Sequence, residues 1–326
     1  MAGPDFLARY RRPVEKLLAS LHPPDYKLAL AALEAVEGGK RIRSAISLLV
    51  CEAVCGRYEP AVPVGAVYEL AHAASLVQDD IIDDSALRHS KPSVYKRYGQ
   101  IMAVLVSDIL IFDIFQQFAK YSGTKVTKKR LGELLGHVAR AASLTIKGEY
   151  KEMGLSVRNL TEETYVEVVG LKTGALYAAA AASGALAGGA GPKVTKAMYD
   201  FGYCLGISYQ VRDDILDVVG ERGNTGKPSL KDISNDACNI VVGHALSVAN
   251  PLQKQHILSM LLRRLYSKSE VERLVATVTD LGSLEYADGL ARRYAARSME
   301  RLSTLKPSPA RTKLQRLVRE LEGRWT

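Results

Sequence analysis

Two acidic clusters interrupt helical stretches that are otherwise apolar. They share the spacing D-D-x-x-D: Asp79-Asp80-Ile81-Ile82-Asp83, extended by Asp84, and Asp213-Asp214-Ile215-Leu216-Asp217. Carboxylates at i and i+4 share one helix face and repel by a few tenths of a kcal/mol per pair. The first cluster holds two such pairs, Asp79/Asp83 and Asp80/Asp84, and the second holds Asp213/Asp217. A fold that keeps this repulsion twice needs cations to relieve it. Oxygen-only ligands on a rigid helix suit Mg²⁺, which keeps waters and accepts phosphate oxygens as further ligands. Two facing helices of this kind would clamp a diphosphate.

The plainer reading of one such cluster is a solvated acidic face, and the flanks weigh against it. Leu76-Val77 precedes the first cluster, and Phe201, Leu205 and Tyr209 lead into the second at helical spacing. At about 100° per residue, His72, Asp79 and Asp83 fall on one stripe, and Gly206, Gln210, Asp213 and Asp217 form a matching one. Both stretches therefore read as buried helices with one polar line.

The rest of the chain is also helical in period. The expected helices are 5–20, 27–37, 41–55, 62–83, 100–120, 127–153, 161–187, 194–220, 238–248, 252–264, 268–279, 284–303 and 309–322. Helix breakers separate them: Pro23-Pro24, Gly38-Gly39, Pro60 to Pro63, Gly188-Gly189 and Pro307 to Pro309. Alternating β-branched runs are missing, so strands should be negligible. The reading is an all-α bundle with no linker between domains.

Apolar content of 47% is ample for a large core. The longest apolar stretch, Ala175 to Gly191, is too rich in alanine and glycine for a membrane span, and no apolar leader opens the chain. A cytoplasmic location is the default. The net charge of +9 favours anionic partners, but the cations are dispersed without interleaved aromatics, which argues for polyphosphate over nucleic acid.

Further polar groups fit a diphosphate. Gly38-Gly39-Lys40-Arg41-Ile42-Arg43 is a glycine turn opening a helix, with Lys40 and Arg43 one turn apart. Lys172 and Thr173 sit inside a very apolar helix, where a buried lysine needs an anion. Residues 221–236, with Gly223, Gly226, Lys227 and Pro228, have the composition of a mobile lid.

In this order the motifs resemble the trans-prenyltransferase family, the head-to-tail isoprenyl diphosphate synthases of the farnesyl and geranylgeranyl type. The resemblance rests on G-G-K-R-I-R (38–43), the stretch from Glu69 to Ser85, L-K-T-G-A-L (171–176) and Y-Q-V-R-D-D-I-L-D-V (209–218) followed by G-K-P (226–228). It implies an all-α, single-domain bundle (1–326) of about ten or more helices around a deep apolar pocket, forming a homodimer. It also implies about three Mg²⁺ ions per active site.

Carried over by position, Asp79, Asp83, Asp213 and Asp217 correspond to Mg²⁺ ligands, with Asp80 and Asp214 supporting them. Arg88, Lys172 and Lys227 would hold the allylic diphosphate, helped by Thr173 and Gln210, and Lys40, Arg43 and His72 would contact isopentenyl diphosphate. The implied catalytic set is Asp79, Asp80, Asp83, Lys172, Asp213 and Lys227. The allylic C–O bond would ionise, the isopentenyl double bond would attack the cation, and inorganic diphosphate would leave.

The sequence departs from the family pattern at His89, where a second arginine normally meets isopentenyl diphosphate, and at Ala237, where the lid normally has a lysine. Histidine lacks the permanent charge and the fork of arginine. These departures motivate an alternative: a weakly active or regulatory subunit of a heteromeric prenyltransferase. The residues expected to set product length are Ala71, Ala74 and Ser75, all small, and Phe112 and Phe115 on the next helix. With either phenylalanine as the pocket floor, the product would be about C20–C25.

Overall fold

The computed structural model describes residues 5–22, 26–88, 91–122, 126–220, 238–260 and 267–323. The expected helices appear with ends shifted by a few residues. They are Ala8–Ala19, Lys27–Val36, Ile42–Cys55, Val62–Ile82, Gln100–Ser122, Lys128–Met153, Pro192–Val219, Ile240–Val248, Pro251–Met260, Lys268–Asp280, Ser283–Arg301 and Pro309–Glu322. The stretch expected as one helix over 161–187 is divided: Glu162–Val169, a π-helical turn Gly170–Gly174, then Ala175–Ala187. A short helix, Val94–Tyr98, and a two-residue strand pair, Leu87–Arg88 with Lys91–Pro92, were not expected.

Local chemistry explains where helices begin. Asn239 accepts from the Val241 and Val242 N–H groups, and Ser267 with Glu270 makes a reciprocal capping box. The Gly38-Gly39 turn is left-handed at both glycines (φ 79° and 76°), a conformation that side chains resist.

The described chain divides into two compact units. The first comprises residues 1–142, 176–199 and 302–314, and the second residues 143–175, 200–301 and 315–326. In the first, Val62–Ile82 packs against Gln100–Ser122, Ile42–Cys55, Ala8–Ala19 and Lys27–Val36. The alanine run joins it closely: a Cβ on Gly184 would lie 2.3 Å from the Ser47 carbonyl oxygen, so only glycine permits that approach. Ser47 donates to the Ala180 carbonyl at 2.9 Å, and Tyr68 and Ser183 share a hydrogen bond of 2.7 Å.

Gln100–Ser122 is long and apolar enough to cross a membrane by length and composition. Its inner face, however, carries buried Ser107, Asp113 and Gln117. Asp113 pairs with His22 at 2.5 Å; burial pushes its carboxyl above the usual range, and His22 opposes that. A helix with this inner face is packed against protein.

The second unit is built around Tyr165, Ile207, Val211, Ile215, Val241, Leu274, Val278 and Leu290, all almost fully buried. Arg212 is buried with them and pairs with Asp288 at 2.5 Å.

Candidate active site

The first acidic motif closes the helix Val62–Ile82. Asp83 is its C-cap, with its N–H on the Asp79 carbonyl at 2.8 Å, and Asp84 turns left-handed at φ 50°. Asp80 is only 3% exposed and accepts from Arg88 Nη2 at 2.5 Å and Nε at 3.1 Å. Asp79 is half-buried, and Asp83 and Asp84 are exposed. Arg88, expected on the allylic diphosphate, is thus an ion-pair partner of the motif itself. His89 lies outside the described residues.

The second motif lies in the last two turns of Pro192–Val219. Its middle aspartate, Asp214, is 1% exposed. Asp214 Oδ2 accepts from the Tyr165 hydroxyl at 2.8 Å and the Ile240 N–H at 3.0 Å, and Oδ1 accepts from Gln210 Nε2 at 3.2 Å. Thr173 donates to Gln210 at 3.0 Å. The two polar groups expected to help bind diphosphate therefore also brace this aspartate. Asp213 and Asp217 flank it, each half-buried.

Lys172 projects from the π-helical turn, a bulge that recurs at functional sites. Its ammonium lies 2.5 Å from Glu149 and 2.6 Å from Glu152. The expectation that this lysine needs an anion is met by two carboxylates that the sequence pattern did not single out. The bulge is closely packed: a Cβ on Gly170 or Gly174 would run into Tyr203, and one on Gly148 into the Lys172 backbone.

At the glycine turn, Arg41 folds inward. It bonds the Val36 carbonyl and lies 3.4 Å from Glu69, which also accepts the Ser44 N–H at 2.9 Å. Glu69 thus places a carboxylate at the start of Ile42–Cys55, where the helix dipole favours it. Lys40 stays exposed, and the Arg43 guanidinium stacks 4.6 Å from the Tyr177 ring centroid. His72 is half-buried about two turns before the first motif. The Arg41–Glu69 link was missed, although a glutamate in so apolar a helix was a readable signal.

Ala74 is buried and Ala71 and Ser75 are half-buried; Ser107 Oγ reaches the Ala74 carbonyl at 3.5 Å. Phe112 and Phe115, expected at the pocket floor, do not face the interior of this chain. They are 64% and 56% exposed, on the opposite face of Gln100–Ser122 from the buried Val106, Leu110 and Phe118. Both faces of that helix are apolar, and the covered one is not theirs. Lys227, Ala237 and the expected lid at 221–236 lie outside the described residues.

Whether these residues suit Mg²⁺ can be judged from the donors. Among the described residues no three His, Cys, Asp or Glu side chains converge into a ready-made cage. Mg²⁺ does not require one, since it uses one or two carboxylates, waters and substrate phosphates. Both motifs offer carboxylates at the negative, C-terminal ends of their helices, with no basic residue in either last turn. Each middle aspartate is anchored, so its neighbours are held in place. The donor set fits.

The sequence model of the family described as polyprenyl synthetase matches residues 27–278. A short chain isoprenyl diphosphate synthase from Methanothermobacter thermautotrophicus is 35% identical over 85% of this chain and 84% of its own length. A geranylfarnesyl diphosphate synthase from Aeropyrum pernix is 33% identical over 89% of this chain and 91% of its own. The crystal structure of a geranylgeranyl pyrophosphate synthetase from Pyrococcus horikoshii superposes with a TM-score of 0.87 at 28% identity, covering 98% and 97% of the two chains.

Proposed function

The chain belongs to the polyprenyl synthetase family, and from that premise we propose that it is a Mg²⁺-dependent trans-prenyltransferase of the geranylgeranyl type. It condenses isopentenyl diphosphate with an allylic diphosphate and releases inorganic diphosphate, making a product of about C20–C25. One observation carries this reading: the D-D-x-x-D motif occurs twice, each time at a helix C-terminus with its middle aspartate anchored. The relatives named as geranylfarnesyl and geranylgeranyl synthases support the product class. They also favour an active enzyme over a regulatory subunit.

Mg²⁺, when bound, neutralises the diphosphate oxygens and lets the allylic C–O bond ionise. Asp79, Asp83, Asp213 and Asp217 would supply its protein oxygens. Lys172, paired with Glu149 and Glu152, is assigned to the allylic diphosphate. Lys40, Arg43 and His72 are assigned to isopentenyl diphosphate. Purified protein given labelled isopentenyl diphosphate, separate allylic primers and Mg²⁺ should yield products of about C20–C25, and EDTA should stop it. Absence of any elongated product would overturn the assignment.

The proposal includes a homodimer in the cytoplasm. Ile101, Val104, Leu105, Phe112 and Phe115 form an exposed apolar stripe on Gln100–Ser122, with Ile101 81% exposed. Apolar stripes of this kind mark protein contacts, and a second copy of the chain is the proposed occupant. Phe112→Asp with Phe115→Asp should convert the sedimenting species to monomer. A monomeric parent, or one that partitions into lipid vesicles, would remove this part of the proposal.

A further inference from the structure

The first unit contains a cavity of about 820 Å³, whose lining includes none of that unit's motif aspartates. Three segments line it: the first half of Lys128–Met153, the turn after Ala187, and the first turns of Pro192–Val219. The volume is in the range of small-molecule sites. Lys129, Arg130, Arg140 and Lys196 face it, against one carboxylate, Glu133. Arg130 Nη1 comes within 3.8 Å of where a Gly189 Cβ would sit, so its guanidinium reaches the turn between the other two segments.

Two further observations point to an anion. Thr195 lines the cavity and is only 9% exposed, yet its hydroxyl oxygen has no hydrogen-bond partner. A buried hydroxyl without a partner is destabilising, which an incoming acceptor would correct. The second is the helix itself: Pro192–Val219 is 28 residues long with no acidic residue in its first turn, so its positive end opens on this cavity. His137 also lines the cavity. Burial, and then Arg140, hold it below its ordinary value, with Glu133 opposing.

We propose that this cavity, whose lining includes no residue of the aspartate motifs, binds a small molecule bearing a diphosphate or triphosphate. With a turn of its side chain, Thr195 donates to a phosphate oxygen, and Arg130, Arg140 and Lys196 neutralise the charge. Four cations exceed what a monophosphate needs. Two ligand sources share this chemistry: a nucleotide, with its base on Tyr199, or a prenyl diphosphate, with its tail along Leu186 and Ala190.

The test is calorimetric titration of the full chain in EDTA, with ATP, geranylgeranyl diphosphate and inorganic triphosphate as probes. At least one should bind. Arg130→Gln with Arg140→Gln should weaken it about tenfold or more, since removing even one charge-assisted hydrogen bond has an effect of that size. Thr195→Val should weaken binding about tenfold while leaving the melting temperature of the ligand-free chain unchanged or higher, because it removes an unpartnered hydroxyl. Asp79→Ala with Asp213→Ala should leave this binding intact. Tighter binding of ATP identifies the nucleotide source, and tighter binding of geranylgeranyl diphosphate the prenyl source. No binding by any probe overturns the proposal. So does binding that survives the arginine variants, or that disappears in the aspartate double variant.

Discussion

Asp83 ends its helix and Asp84 turns left-handed, whereas Asp217 still lies within a helix that runs on to Val219. The middle aspartates are held differently too. Among the described residues Asp80 accepts from one arginine, whose side chain is 30% exposed, while Asp214 takes donors from Gln210, Tyr165 and the start of Ile240–Val248. The same D-D-x-x-D spacing therefore specifies which carboxylates share a face, and leaves open how the buried one is anchored. The first motif is a helix end stapled by a nearby arginine. The second is a brace joining three segments of its unit.

The sharpest way to break this comparison is to remove an outer carboxylate from each motif. Asp79→Ala and Asp213→Ala should each lower turnover by about a hundredfold or more, as expected for groups that stabilise transition-state charge. Near-normal steady-state rates in either variant would mean that the two motifs do not serve one reaction.

The middle aspartates should separate the motifs by stability. Asp214→Asn keeps the shape but weakens charge-assisted bonds to three donors, costing about 1.5–3 kcal/mol. Asp80→Asn should cost about 1 kcal/mol, because Arg88 can turn to water. Equal losses in urea unfolding would erase the distinction between staple and brace.

A third variant probes the wall below the first motif. Ala74 is buried beside Ser107, so Ala74→Phe should shorten the product toward farnesyl diphosphate, at about 1–3 kcal/mol of overpacking. Phe112→Ala should leave chain length as it was, since that ring lies on the outer face of its helix, where the proposed second copy would sit. Product analysis showing the reverse would return the floor to Phe112.

The smallest effect concerns pH. His137 in the first unit and His244 in the second are both held below the ordinary value of 6.5 by burial, His137 also by Arg140. Their folded forms bind fewer protons than the unfolded chain below that value. Stability should thus rise with pH from each lowered folded value up to 6.5, and fall on acidification. His137→Gln should reduce the pH-dependent part of the unfolding free energy by less than about 1 kcal/mol, given solvent screening. An unchanged slope would remove His137 from the account.

Much of the architecture was readable in advance. Period and breakers located the long helices because an amphipathic face and a Gly or Pro stop are local properties. The divided helix at 161–187 was not readable, since Gly170 and Gly174 of its π-helical turn pack against Tyr203, which is distant in sequence. For the site, spacing picked out Asp79, Asp83, Asp213 and Asp217 as the carboxylates sharing a face. The partners were hidden: Glu149 and Glu152 for Lys172, Glu69 for Arg41, and Tyr165 for Asp214.

By itself the sequence determined an all-α chain with two acidic helix ends and a family membership resting on them. Those features depend on residue spacing along one helix, which 3.6-residue periodicity makes explicit. Tertiary structure decided which apolar face is covered, leaving Phe112 and Phe115 outside. It also decided which carboxylates pair with Arg41 and Lys172, and that four cations line one cavity. Such pairings join residues distant in sequence, and they follow from how helices pack rather than from any local pattern.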